Sequence, residues 1–169
     1  MTSADVLIEA YTRIKETVHG AVDGLSEEHL RHRIDPGANS IAWLVWHLTR
    51  VQDDHIAAVA ESEQVWTAQG WYHRFDLPID KRATGYGDLP ADVAVLRASA
   101  GLLTGYYDAV HEQTLRFIRT LREHDLERIV DTRWDPPVTL GVRLVSVLDD
   151  DLQHAGQAAF VRGVIERIG

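Results

Sequence analysis

The chain has 169 residues, of which 45% are hydrophobic and 25% are charged, as expected of an ordinary globular protein forming one domain over residues 1–169. Its formal net charge of -9 argues against nucleic acid or an anionic membrane surface as a partner, because both would repel it. Cysteine is absent, which excludes disulfides, thiolate metal sites and cysteine nucleophiles, while nine histidines direct any transition-metal hypothesis towards imidazole and carboxylate ligands.

The N-terminal part of the chain predicts a helix rather than a targeting segment. The stretch MTSADVLIEAYTRIK lacks the basic-then-apolar order of a signal peptide, and no apolar run reaches membrane-spanning length. We therefore expect a cytoplasmic protein without a membrane partner. Apolar residues at helical spacing predict a first helix over about residues 4–22, and Ser26 is a suitable cap for a short helix after it.

The next long helix is predicted over about residues 41–61, with Asn39 or Ser40 as its N-cap. A long irregular segment, residues 62–89, follows it and contains several large aromatic residues. A connection of that length in a small domain is usually functional or disordered, and its aromatic residues favour an ordered, packed loop. Such a crossover also allows the helices on either side of it to run parallel.

The C-terminal half predicts two further long helices. Apolar residues alternate at spacings of four and three from Leu96 to Leu121, which predicts a helix over about residues 90–123. After a break at DTRWDPP, Thr139 is a plausible cap for a last helix that runs from residue 140 almost to the end. No segment shows convincing strand alternation. The predicted fold class is all-α, a four-helix bundle with a long crossover between its second and third main helices.

Polar residues on the buried faces of two helices indicate a metal site. Asp150 and His154 are one turn apart and project to the same side of the last helix, within its apolar stripe. His47 lies on the buried face of the second main helix, and Asp54 returns to nearly the same side two turns later. Two histidines and a carboxylate from facing helices would leave open positions on a metal, as catalytic sites do. Asp151 also falls within the stripe and competes with Asp150 as the carboxylate ligand.

Two simpler interpretations stand beside the metal site. A histidine on an apolar helix face is more often a core residue hydrogen-bonded to a neighbour, and Asp150 with His154 is equally explained as a buried ion pair. Gln157, close to one turn beyond His154, is a candidate hydrogen-bond partner for the imidazole. Asp149 points away from the stripe and is expected to face water.

The motif AWLVWHL after the turn PGANS, followed near the C-terminus by HAGQAAFVRG, resembles the DinB/YfiT superfamily of four-helix bundles. The chain is also similar to the bundle domain of mycothiol-dependent maleylpyruvate isomerase. The resemblance extends over nearly the whole chain and implies a metal, commonly zinc or nickel, bound by one histidine of the second main helix and a pair on the last. Carried onto this sequence, the ligands are His47, Asp150 and His154. Asp150 stands where many members have histidine, and the isomerase branch has a carboxylate there.

The resemblance implies a metal-dependent thiol transferase or isomerase whose partners are a low-molecular-weight thiol such as mycothiol and an electrophilic substrate. The alternatives are a metal-dependent hydrolase, a non-catalytic metal-binding stress-response bundle, and an interaction module that holds no metal. A homodimer is compatible with all of these. The isomerase has an additional C-terminal domain that this sequence lacks, so its particular reaction is not carried over.

Overall fold

The computed structural model describes residues 1–168, and most of them are helical. Eleven elements are present in this part of the chain: α1 Ser3–Val22, α2 Glu27–Arg31, α3 Ile41–Ala60, α4 Val65–Ala68, α5 Trp71–Phe75, α6 Pro90–Val95, α7 Ala100–Ile118, a 3-10 helix Glu123–Glu127, the strands β1 Ile129–Asp131 and β2 Val138–Thr139, and α8 Leu140–Ile168. The four long helices α1, α3, α7 and α8 form the predicted bundle. None of the described helices is long and apolar enough to cross a membrane.

The bundle places α3 beside both α7 and α8, and α1 packs against the same two helices from the other side. Along α3 and α8, His47 lies near His154 and His55 lies near Arg143, so these two helices are antiparallel. Between α3 and α7, Arg50 donates to the hydroxyl of Tyr106, and the Gln52 amide donates to the hydroxyl of Thr114, which is two turns later on α7. This order shows that α3 and α7 run parallel, as the long crossover allows.

Helix α3 begins where the sequence predicts, because the Ser40 hydroxyl accepts a hydrogen bond from the backbone N–H of Trp43 at 3.2 Å. Every residue from Ile41 to Arg50 is buried. A helix that is apolar around most of its circumference has to be covered on all sides. In this chain α7 and α8 cover one side, and residues 62–89, which we call the strap, cover the other.

The strap is an ordered segment that contains α4 and α5. Asp53 accepts hydrogen bonds from the backbone N–H groups of Val65 and Trp66, each at 2.8 Å, at the start of the strap. Arg50 is fully buried, and its Nε donates to the carbonyl of Ala83 at 3.1 Å, near the other end of the strap. These two side chains of α3 therefore fix both ends of the strap to the bundle.

The prediction of one helix over residues 90–123 was wrong in its continuity and in its end, although helix α6 does begin at Pro90. The chain leaves the helical conformation at Leu96, and α7 begins only after Ser99, whose hydroxyl accepts a hydrogen bond from the N–H of Leu102 at 3.2 Å. Helix α7 then ends at Ile118. The two-stranded antiparallel sheet of β1 and β2 was also not predicted, because strands of three and two residues are too short to show alternation.

Acid stability is expected to depend on His111, which is buried on α7 and stacks on Tyr107 with ring centroids 6.0 Å apart. Burial lowers the pKa of His111 to about 4, from an ordinary value of 6.5. Between these two pH values His111 is protonated in the unfolded chain but neutral in the folded chain. The free energy of unfolding therefore decreases as the pH falls through this range. Between about pH 7 and pH 4 we expect the free energy of unfolding of His111→Phe to fall by up to about 3 kcal/mol less than that of the unmodified protein, as measured by urea unfolding.

The matched control is His124→Phe, because the His124 side chain is 74% exposed. Its pH profile is expected to follow that of the unmodified protein. Parallel profiles for His111→Phe and the unmodified protein would show that His111 does not carry the acid sensitivity.

Candidate metal centre

The structure brings together the three residues proposed as ligands. One potential ligand atom from each of His47, Asp150 and His154 lies within 4.8 Å of the others. The imidazole rings of His47 and His154 meet edge to face with centroids 4.8 Å apart, and Nε2 of His154 lies 3.7 Å from Oδ1 of Asp150. Helix α3 supplies one of the residues, and adjacent turns of the antiparallel α8 supply the other two.

Both imidazoles are oriented by a hydrogen bond at Nδ1. That atom of His47 lies 2.5 Å from the backbone carbonyl of Thr84 in the strap, and that of His154 lies 2.9 Å from Oε1 of Gln157. Because a carbonyl oxygen only accepts, each Nδ1 carries the proton and donates it. The lone pair of each neutral ring then lies on Nε2, which is the arrangement found in metal-binding histidines.

The His47 ring is further held by close packing from the strap. Trp43 stacks on it with ring centroids 4.5 Å apart and an interplanar angle of 11°, and the Trp43 indole N–H donates to Asp88 at 2.8 Å. Gly85 has a φ of +89°, and a Cβ added there would lie 2.7 Å from Nδ1 of His47. Only glycine combines this backbone conformation with so close an approach.

The electrostatics of the site fit a cation. Burial lowers the pKa of His47, which favours the neutral imidazole that a metal needs as its ligand. Oδ2 of Asp150 is buried and has no hydrogen-bond partner among residues 1–168. A buried carboxylate oxygen without a partner is costly, and a divalent ion bound between Asp150 and the two imidazoles would satisfy it.

The site combines a buried side with an accessible one. His47 is 6% exposed, whereas the side chains of His154 and Asp150 are 19% and 33% exposed. Three ligands of nitrogen and oxygen type would leave at least one coordination position of a divalent ion free. The arrangement can therefore hold a divalent ion and admit a further small ligand to it.

A sequence model described as mycothiol-S-transferase matches residues 6–167. The chain belongs to the mycothiol-S-transferase family. The resemblance to the DinB/YfiT superfamily is thereby confirmed. The crystal structure of a conserved protein from Enterococcus faecalis superimposes with a TM-score of 0.89 at 29% identity, covering 96% of each chain, and supports the all-α fold. No curated protein matches the sequence.

In this member of the mycothiol-S-transferase family, Asp151 does not share the site with Asp150. Asp151 is completely buried, on the side of α8 that faces Tyr11 and Tyr107, and burial raises the pKa of its carboxyl well above the usual range. Successive residues of a helix differ by about 100° in direction, which separates the two neighbouring aspartates. Asp149 is exposed, as expected. Asp54 accepts a hydrogen bond from the Gln64 amide at 2.7 Å and is not among the grouped ligands.

Sequence reasoning did not find the part of the site that the strap contributes. Thr84 takes part through its backbone carbonyl, which no side-chain pattern reveals. Glycine-containing stretches such as TGYGDLP are typical of turns, and Gly85 and Gly87 have positive φ. Composition does not show that Gly85 lies against His47 or that Asp88 accepts a hydrogen bond from the Trp43 indole.

Proposed function

We propose that this member of the mycothiol-S-transferase family transfers a low-molecular-weight thiol, with mycothiol as the natural candidate, to a small electrophile. The proposed site is a divalent ion, zinc or nickel, held by His47, Asp150 and His154. One observation carries the proposal. Two imidazoles, each held by a hydrogen bond at Nδ1, lie beside a carboxylate whose Oδ2 is buried and has no hydrogen-bond partner among residues 1–168. Family membership supports the thiol chemistry.

The chain's own residues prepare this site before any substrate arrives. Thr84 and Gln157 fix the tautomer and direction of the two rings, so little reorganisation is needed on binding. Trp43 covers one face of His47 and excludes water from that side. The accessible rim at Asp150 and His154 leaves room for the thiol and the electrophile to approach together.

A bound divalent ion would supply Lewis acidity, lowering the pKa of a thiol so that a thiolate is available at neutral pH. In the overall reaction the sulfur forms a bond to the electrophilic carbon, and the bond from that carbon to its leaving group, a halide or the oxygen of an epoxide, breaks. The thiol proton is released to solvent or to the leaving group of the electrophile. Asp150 contributes one negative charge in place of a neutral third histidine, which reduces the net charge of the centre by one unit.

Metal content is expected to depend on both histidines. Protein purified without a histidine tag should bind one zinc or nickel ion per chain, and His47→Ala and His154→Ala should each lower its affinity by at least about a hundredfold because a ligand is removed. Metal analysis and the rise in melting temperature on adding zinc or nickel measure this. His124→Ala, at an exposed histidine, is the control and should bind normally.

Equal, negligible metal in the unmodified protein and in both variants would rule out the metal centre. Consumption of mycothiol with an electrophile such as a halogenated arene or an epoxide then tests turnover. A protein that binds the ion and consumes no thiol with any electrophile would be the non-catalytic metal-binding bundle instead.

A further inference from the structure

A groove runs along the contact between α3 and α8 and passes the metal centre. A polar cavity of about 500 Å³ lies at one end of this groove, on the opposite side of the metal centre from Gln157. Side chains of α3, of β1 and its following turn, and of α8 line it, principally Asp54, His55, Arg128, Asp131, Arg133 and Arg143. Its volume is within the range of cavities that bind small molecules.

The cavity is aligned with the metal centre along both helices. Asp54 follows His47 by seven residues on α3, and Arg143 precedes Asp150 by seven residues on α8. Seven residues are close to two helical turns, so each pair lies on the same face of its helix at a separation of about 10 Å. The distance between the cavity and the metal centre is therefore one that a single molecule of moderate length can span.

The polar wall of the cavity is preformed. Asp131 is 8% exposed and accepts two hydrogen bonds from the side chain of Arg133, at 2.9 Å and 2.8 Å. Arg143 donates to Oδ2 of Asp131 at 3.0 Å, and its Nη1 lies 3.3 Å from Nδ1 of His55. Because these partners fix the two guanidinium groups, binding a ligand costs little side-chain entropy.

The charges of the lining identify the kind of ligand. Three arginines are balanced by three carboxylates, those of Asp54, Glu61 and Asp131. Without a surplus of positive charge the cavity has no preference for an anion, whereas closely spaced guanidinium donors and carboxylate acceptors match a group with many hydroxyls. The other end of the groove, beside Gln157, is lined mainly by apolar residues such as Ile34, Leu44 and Phe160 and would leave such hydroxyls unpaired.

We propose that the polar cavity binds the uncharged, hydroxyl-rich headgroup of the thiol while its sulfur reaches His47, Asp150 and His154. The thiol's identity rests on the proposed function, but the cavity's preference for a polyhydroxylated group rests on the cavity alone. Mycothiol, a cysteine amide of a glucosamine–inositol headgroup, has this two-ended form. The apolar end of the groove is then left for the electrophile.

The test uses as its probe the sulfur-free glucosaminyl-inositol headgroup with its amine acetylated, which keeps it uncharged as it is in the thiol, with the metal-free protein and ligand-observed NMR at millimolar concentrations. Ala58 is an exposed residue that lines the cavity, so Ala58→Phe fills the cavity without disturbing the core. We expect this change to weaken headgroup binding at least about tenfold. Arg133→Gln, at a side chain that is 83% exposed, should weaken it several-fold. Ala159→Phe, on an exposed face of α8 outside the cavity, should bind like the unmodified protein.

Failure to detect headgroup binding by the unmodified protein, or equal binding by Ala58→Phe, would overturn the proposal. Because the assay uses neither metal nor turnover, this result is separate from failure of the proposed function. Where turnover is present, Ala58→Phe should raise KM for mycothiol by a larger factor than KM for N-acetylcysteine, which lacks the headgroup.

Discussion

Replacing Gly85 with alanine is expected to weaken binding of the proposed ion by about 10–100-fold, although Gly85 itself offers no ligand. The new Cβ would lie 2.7 Å from Nδ1 of His47 and 3.0 Å from Cζ2 of Trp43, so the His47 ring has to move. The hydrogen bond from His47 to the carbonyl of Thr84, the residue immediately before Gly85, would be lost or lengthened. Competition with a chelator measures the metal affinity, and thermal unfolding measures any accompanying loss of stability.

Gly87→Ala is the matched control. Gly87 also has a positive φ, of +80°, but a Cβ there would have no atom within 4 Å. It therefore imposes the same type of backbone strain, about 1–2 kcal/mol, without pressing on the site. Equal metal affinity of the two variants would show that contact with His47 is not the reason for the glycine at position 85.

Arg50→Met is expected to destabilise the protein by about 3–5 kcal/mol, the cost of removing one partner of a buried ion pair. Arg50 and Asp53 are 0% and 1% exposed, with Nη1 of the arginine 3.7 Å from Oδ2 of the aspartate. The substitution also removes the donor to the Ala83 carbonyl, so the C-terminal part of the strap loses one of its attachments to α3 and keeps those made by His47 and Trp43. Urea unfolding measures the stability, and hydrogen exchange of the strap amides reports the local effect.

Arg82 provides the comparison within the same strap. Its side chain is 91% exposed and pairs with Asp80, which is also exposed. Exposed ion pairs contribute little, so Arg82→Met should leave the unfolding free energy nearly unchanged. A loss for Arg50→Met no larger than that for Arg82→Met would mean that the buried arginine does not anchor the strap.

The sequence predicts those features of the metal centre that follow from the spacing of residues along a helix. The spacing of Asp150 and His154 fixes their common direction on α8, and the apolar neighbours of His47 place it on a buried face of α3. The contact between α3 and α8 could be established only from the fold. The family resemblance favoured Asp150 over Asp151. Whether the three residues hold a metal stays a prediction.

The other features of the site and of the fold depend on contacts that produce no periodic pattern in the sequence. The carbonyl of Thr84 is a backbone group, and the proximity of Gly85 to His47 follows from the path of the strap rather than from its composition. The apolar stripe keeps its spacing across Leu96–Ser99, so periodicity alone could not show the break before α7. Asp131, which organises the polar cavity, lies in a strand of only three residues.

The antiparallel contact of α3 with α8 has a consequence for the order of events during synthesis. His47 and its two partners lie about a hundred residues apart in the chain, and α8 is made after the other three helices of the bundle. In small zinc domains the ion drives folding, because the ligands are near neighbours and there is little core. Here an extensive apolar core assembles the bundle. A nascent chain would therefore have no place for the ion until α8 had docked, and loading would follow folding rather than direct it.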